Sequence, residues 1–149
     1  MRHIGKFWFG ALLLAVSAIA SARAEAPHIA QVKTVRGDAF IVREGERIAA
    51  KPGDLLYQSD VVTTGSGGTI GFTFIDNTVF STGPDSEVAL EKFRFDSSNF
   101  SGEMLADMRK GSLTVVTGDI TRSAPDAMKI KTPTSILGVR GTTFAVRVY

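Results

Sequence analysis

The chain has no cysteine, and its 149 residues include only two histidines, one tryptophan and five prolines. Without cysteine there is no disulfide, no thiolate nucleophile and no thiol to carry a lipid, so stability must come from a packed core. Zinc ligation by Cys and His is excluded by count. One histidine, His3, lies at the extreme N-terminus, which leaves His28 as the other imidazole. A Ser-His-Asp arrangement would have to recruit that residue from a segment close to a processed end, so His28 reads as an exposed terminal residue. Also missing is any apolar run of the ~20 residues that a bilayer-spanning helix requires.

The apolar run that is present, Phe7 to Ala20, follows Arg2 and Lys6 and leads into Ala22-Arg23-Ala24. A basic start, a short apolar centre and an Ala-x-Ala end form a secretory signal peptide, with cleavage expected after Ala24. An uncleaved N-terminal anchor is the alternative. The expected layout is a signal peptide over residues 1–24 and one β domain over 25–149, periplasmic or secreted and not membrane-spanning after cleavage. Processing removes Arg2, Lys6 and Arg23 but no acid: 17 minus 3 leaves 14 basic residues against 15 acidic ones, a net charge of −1. The basic isoelectric point thus belongs to the signal peptide, and the electrostatic footprint of a nucleic-acid binder is missing.

Beyond residue 25 the chain is a succession of short β-branched and aromatic runs. Gly37-Asp38, Pro52-Gly53-Asp54, Gly65-Ser66-Gly67-Gly68, Asp76-Asn77, Gly83-Pro84-Asp85, Gly111, Gly118-Asp119 and Gly141 punctuate it as turns. Ile70, Phe72 and Phe74 alternate with Gly71 and Thr73, and Phe144, Val146 and Val148 alternate with Ala145, Arg147 and Tyr149. A period of two predicts half-buried strands. Val88 and Leu90 fall out of phase with Phe93 and Phe95, which predicts a bulge near Glu91 or Lys92. Between Gly102 and Arg109, Met104, Leu105 and Met108 fit a helical stripe as well as a strand, and the two readings stay open. The predicted class is all-β: a single domain of short strands, sandwich or solenoid-like, with little or no helix after the signal peptide.

Few residues offer chemistry. Asp54, Asp60, Asp76, Asp85, Glu87 and Asp119 sit in or beside turns, where two of them could converge for glycosidase work, but Asp is favoured in turns for backbone reasons alone. The oxygen-rich stretch from Asp76 to Glu87 lacks the spacing of a calcium loop. Gly65 to Gly68 lacks the lysine of a phosphate loop and precedes a strand, and Arg36-Gly37-Asp38 reads as a turn. Phe72, Phe74, Phe93, Phe95 and Phe144 suit a core, whereas Phe80, Phe100 and Tyr57 lie nearer turns and are the candidates for a binding face. No cofactor and no metal is expected, and no enzyme activity.

One set of motifs runs in order along this β region. It comprises Val35-Arg36-Gly37, Pro52 to Leu56, Asp60 to Gly65, the strand Thr69 to Ile75 with its turn Asp76-Asn77, and Gly83 to Val88. It closes on Ile130 to Val146, with the string Thr132-Pro133, then Gly138-Val139-Arg140-Gly141-Thr142-Thr143-Phe144. In these the chain resembles the FecR domain. Thr132, Pro133, Gly138, Arg140, Gly141, Thr142 and Phe144 are the candidate fold-determining positions: Pro133 ends a strand, and Gly138 and Gly141 permit a tight backbone path. Arg140 is expected as a buried, hydrogen-bonded tie between loops, with a ligand contact as the alternative.

The resemblance implies a periplasmic all-β domain of the kind found in membrane-bound regulators that relay iron-transport signals from an outer-membrane receptor to a cytoplasmic sigma factor. This sequence shows neither their cytoplasmic anti-sigma segment nor a transmembrane helix in mid-chain, so a stand-alone exported domain is expected, non-enzymatic and acting in signal transduction through protein binding. The preferred partner is a protein of the cell envelope, docked by strand addition at Thr142, Ala145, Arg147 and Tyr149. A cell-wall or carbohydrate-binding module is the alternative, and a carboxylate-dependent glycan hydrolase the second alternative.

Overall fold

A computed structural model describes residues 25–141 and 143–149. The predicted signal peptide and Thr142 lie outside the described residues. Twelve strands follow one another: β1 Ala30–Arg36, β2 Ala39–Arg43, β3 Glu46–Ala49, β4 Leu55–Leu56, β5 Val61–Thr64, β6 Thr69–Phe74, β7 Val79–Thr82, β8 Glu87–Asp96, β9 Ser101–Val116, β10 Met128–Lys131, β11 Ile136–Val139 and β12 Thr143–Val148. A short 3-10 segment, Asp119–Arg122, follows β9. The all-β single domain read from the sequence is what the chain forms.

The sheet runs in the order β3-β2-β5-β8-β9-β7-β6-β1-β4 and curls into a half-barrel. Its outer parts approach where Arg43 on β2 donates from Nη2 to the Leu55 carbonyl oxygen of β4, at 3.0 Å. Tight turns hold the hairpins. At Gly37, φ is +59°, and a Cβ there would collide with the carbonyl oxygen of Gly67, so the β1–β2 and β5–β6 turns pack backbone against backbone.

Strand β9 is the spine. At 16 residues it is long enough to reach roughly 50 Å. Along one side it pairs first with β8 and then with β7; along the other it pairs first with β10, in parallel, and then with β12. The partners change around Gly111, which the sequence marks as a turn but which lies inside the strand at φ +86°. There a Cβ would strike Ser86 and the Asp85 carbonyl. A register shift beside it, from Glu87↔Lys110 to Val88↔Met108, turns the strand over. Met104, Ala106 and Met108 face the core before the shift, Leu113 and Val115 after it. The same device operates in β8, where the register slips between Leu90 and Lys92, so that Val88, Leu90 and Phe93 are all buried and Phe95 packs against them. The predicted bulge is therefore present, and the helix-or-strand ambiguity at Gly102–Arg109 resolves as strand.

The core is one cluster centred on Phe72, Phe74, Phe80 and Phe93. Ring centroids lie 5.6 Å apart for Phe72–Phe74, 4.8 Å for Phe74–Phe80 and 5.1 Å for Phe74–Phe93. Phe80 is 0% exposed, which corrects its reading as a binding-face residue: it lies opposite Phe72 in the β6–β7 hairpin and points the same way, into the core.

Candidate functional site

The closing third of the chain builds the feature best suited to recognition. Thr132, Pro133, Thr134 and Ser135 connect β10 to β11. The Thr132 amide donates to the Ser135 carbonyl at 2.8 Å, and the Thr132 hydroxyl oxygen accepts from the Ser135 amide at 3.0 Å. Pro133 occupies the first corner, where its fixed φ suits the turn. This closes a hairpin in register Lys131↔Ile136, and β10 lies against β9.

Strand β12 lies on the same side of β9 but farther along it, in register from Thr143↔Val116 to Val148↔Gly111. Phe144, Val146 and Val148 pack partly against the core, whereas Ala145 and Arg147 face solvent and Tyr149 is fully exposed beyond the strand end. Among the described residues β12 pairs with β9 alone, and β11 with β10 alone. Each thus presents an unpaired rim, the arrangement that invites another strand. Because β10 runs with β9 and β12 against it, the 132–135 turn meets the C-terminal end of β12. The two enclose a groove of ≈ 380 Å³ lined by Thr132, Pro133, Leu137, Val146, Arg147 and Tyr149, among others. Four residues singled out separately in the sequence, Thr132 and Pro133 for the fold and Arg147 and Tyr149 for the edge, are brought together here.

The other motif residues behave differently. Arg140 is exposed and has no hydrogen bond or ion pair among the described residues, so it is not the buried tie expected of it. Gly138 is exposed on β11, and a Cβ added to it would meet nothing within 4 Å, so no tight path requires it. Gly141, at φ +22°, does hold a conformation that side chains rarely adopt. Phe144 is half-buried against the core, and Thr142 lies outside the described residues.

Four of the six turn carboxylates, Asp54, Asp60, Asp76 and Asp119, are occupied by structure. Asp76, 0% exposed, accepts from the Thr78 amide at 3.1 Å, the Thr78 hydroxyl at 2.7 Å and the Ile120 amide at 3.2 Å. Asp119 pairs with Arg122 and Asn77, and Asp54 with Lys51. Buried Asp60 receives two bonds from Arg43, at 2.9 and 2.7 Å, and one from the Tyr57 amide at 2.8 Å. The hydrogen bond to Asp60 raises the Arg43 guanidinium pKa above its ordinary value. Arg43 also lies 4.6 Å over the Tyr57 ring, and Arg122 lies 4.5 Å over Phe100, so a cation covers one face of each half-buried aromatic. A second depression, ≈ 480 Å³, lies beside Arg43, Glu44, Tyr57 and Gln58. Among the described residues no group of three or more His, Asp or Glu could hold a metal ion, and no helix is long and apolar enough to cross a membrane.

The edge itself could be read from the sequence as an alternating final strand. The groove could not, because it depends on the 132–135 turn arriving beside that strand's far end.

Residues 60–149 match the model of a family described as FecR protein. The match contains the closing motif and begins at Asp60, so Val35-Arg36-Gly37 and Pro52 to Leu56, which share in the resemblance, lie outside it. No curated protein and no solved structure was found to match the chain.

Proposed function

The chain belongs to the FecR family, a regulatory, signalling family rather than an enzymatic one, and from that premise we propose that it is an exported interaction module that docks a protein of the cell envelope by strand addition to β12. The observation that carries this reading is the rim of β12, unpaired among the described residues, beside a groove lined by Leu137, Val146 and Val148 as well as Thr132 and Arg147. Strand addition draws affinity from main-chain hydrogen bonds and selectivity from pockets for alternate side chains, and the edge and groove offer one of each. The basic, apolar and Ala-x-Ala sequence of residues 1–24 supports export.

The test places a photo-activated cross-linker at Ala145 or Arg147 in living cells, with exposed Arg94 of β8 as control. The expected result is one dominant protein adduct from the two β12 positions and none from Arg94. Ala145→Pro and Val146→Pro then probe the rim. N–H groups along an antiparallel strand point alternately to its two sides, so one of these prolines removes an outward N–H while leaving the β9 ladder intact. Loss of the adduct in that folded variant supports docking at the rim; equal adducts from Arg94, or none from β12, refute it.

A glycan-binding reading has one observation in its favour, a depression in which the half-buried Tyr57 lies beside Gln58, Arg43 and Glu44. Co-purifying glycan that is lost in Tyr57→Ala and retained in the β12 prolines would shift the assignment there.

A further inference from the structure

The segment around the groove carries a charge bias that the neutral whole conceals. Residues 128–149 include Lys129, Lys131, Arg140 and Arg147 and neither Asp nor Glu. Lys131 is matched by Glu91, at 3.7 Å. The remaining three make no ion pair among the described residues, which is also true of Lys33, Arg36, Arg47, Arg94 and Lys110; what sets this segment apart is that it holds no acid of its own. Unmatched charge of one sign beside an unpaired strand steers a partner of the opposite sign and fixes its register.

We propose that the segment added to β12 is acidic: an extended stretch of a protein partner with Asp or Glu opposite Arg147 and apolar residues opposite Val146 and Val148. This rests on the docking reading above and specifies its partner. The alternation follows from the strand itself. A residue paired directly across from Arg147 shares its solvent-facing side, where opposite charges attract. The residues on either side of it face the groove wall formed by Leu137 and Pro133. Arg140, in the connection before β12, and Lys129, on the solvent face of β10, extend the same sign beyond the groove.

The test uses three labelled ten-residue peptides and the mature protein: Val alternating with Glu, Val alternating with Lys, and polyglutamate, which carries acid without β-forming residues. Binding is read by fluorescence anisotropy at low and high salt, and the site by amide protection of β12. The acidic alternating peptide is expected to bind about tenfold more tightly than the basic one, with the ratio collapsing in high salt. It should protect β12 amides, and it should lose most of its advantage in Arg147→Glu, a solvent-facing substitution that leaves the core untouched. Equal binding of polyglutamate means bulk charge attraction and overturns the proposal. Equal binding of the acidic and basic alternating peptides, both abolished by the tolerated β12 proline, also overturns it while leaving the docking reading intact. If no peptide protects β12, both fall.

Discussion

Truncating Asp76 separates a carboxylate that holds the fold from one available for chemistry. In Asp76→Ala the amides of Thr78 and Ile120 lose their acceptor where the replaced residue was 0% exposed, and each orphaned buried donor costs ~1–3 kcal/mol. The Thr78 hydroxyl, whose oxygen keeps the bond it accepts from the Gly118 amide at 3.0 Å, loses the acceptor for its proton as well. Three orphaned donors set a gross loss of about 3–9 kcal/mol, from which the desolvation of the carboxylate, no longer required, is subtracted. A net destabilisation of about 3 kcal/mol is expected, which for a domain of this size lowers Tm by roughly 10–15 °C. Trp8 lies in the predicted signal peptide, so unfolding of the mature chain is best followed by circular dichroism in urea and on heating. Asp126→Ala, an exposed position with no side-chain hydrogen bond among the described residues, is the control and should stay within about 0.5 kcal/mol of the parent. If Asp76→Ala lies within about 1 kcal/mol of the parent, the carboxylate is not the anchor between the β6–β7 turn and the 3-10 segment, and a role in chemistry regains its place.

Three further outcomes are expected. Phe80→Ala should cost about 3–5 kcal/mol in urea unfolding, because its ring is enclosed by Phe72 and Phe74; a near-neutral result would restore it to a surface. Gly37→Ala should be destabilised by well over ~1 kcal/mol through its collision with the Gly67 carbonyl, whereas Gly138→Ala should be silent, and the pair can be compared in one thermal series. Arg140→Ala should leave stability within about 0.5 kcal/mol, since the side chain is exposed and has no partner among the described residues; a large loss of Tm would mean that it ties the loops after all.

What the sequence disclosed was whatever depends on neighbours along the chain. Alternation through Ile70, Phe72 and Phe74, and the phase slip between Leu90 and Phe93, are local patterns, and both survive folding as strand and bulge. Gly111 misled because a glycine with positive φ serves equally in a turn and in a mid-strand bulge; only the long-range arrival of Ser86 and Asp85 separates the two. Met104, Leu105 and Met108 were ambiguous because Leu105 is apolar on the side away from the core, where it is half-exposed. Phe80 departs from its sequence reading for a related reason: proximity to a turn says little about burial when the strand that carries the residue is only four residues long. For the site, Arg147 and Tyr149 are legible as one face of a strand, but a buried role for Arg140 rests on the capacity of a guanidinium to tie loops together, and burial depends on tertiary contacts that its neighbours do not encode.

The position of β9 in the chain also governs how the domain comes to be made. β7 and β8 each find a partner in β9, and the two parts of the sheet meet through it. During synthesis from the N-terminus, pairings such as β6 with β7 and β5 with β8 can form early, yet the core cannot close until residue 116 has emerged. Until then β7 and β8 each carry an unpaired edge, and apolar side chains destined for the core remain wet. Such a nascent chain folds late and through contacts distant in sequence, a slow regime in which exposed edges stick to one another. The strand that unifies the mature domain therefore sets the interval during which the emerging polypeptide carries open edges and an unfinished core.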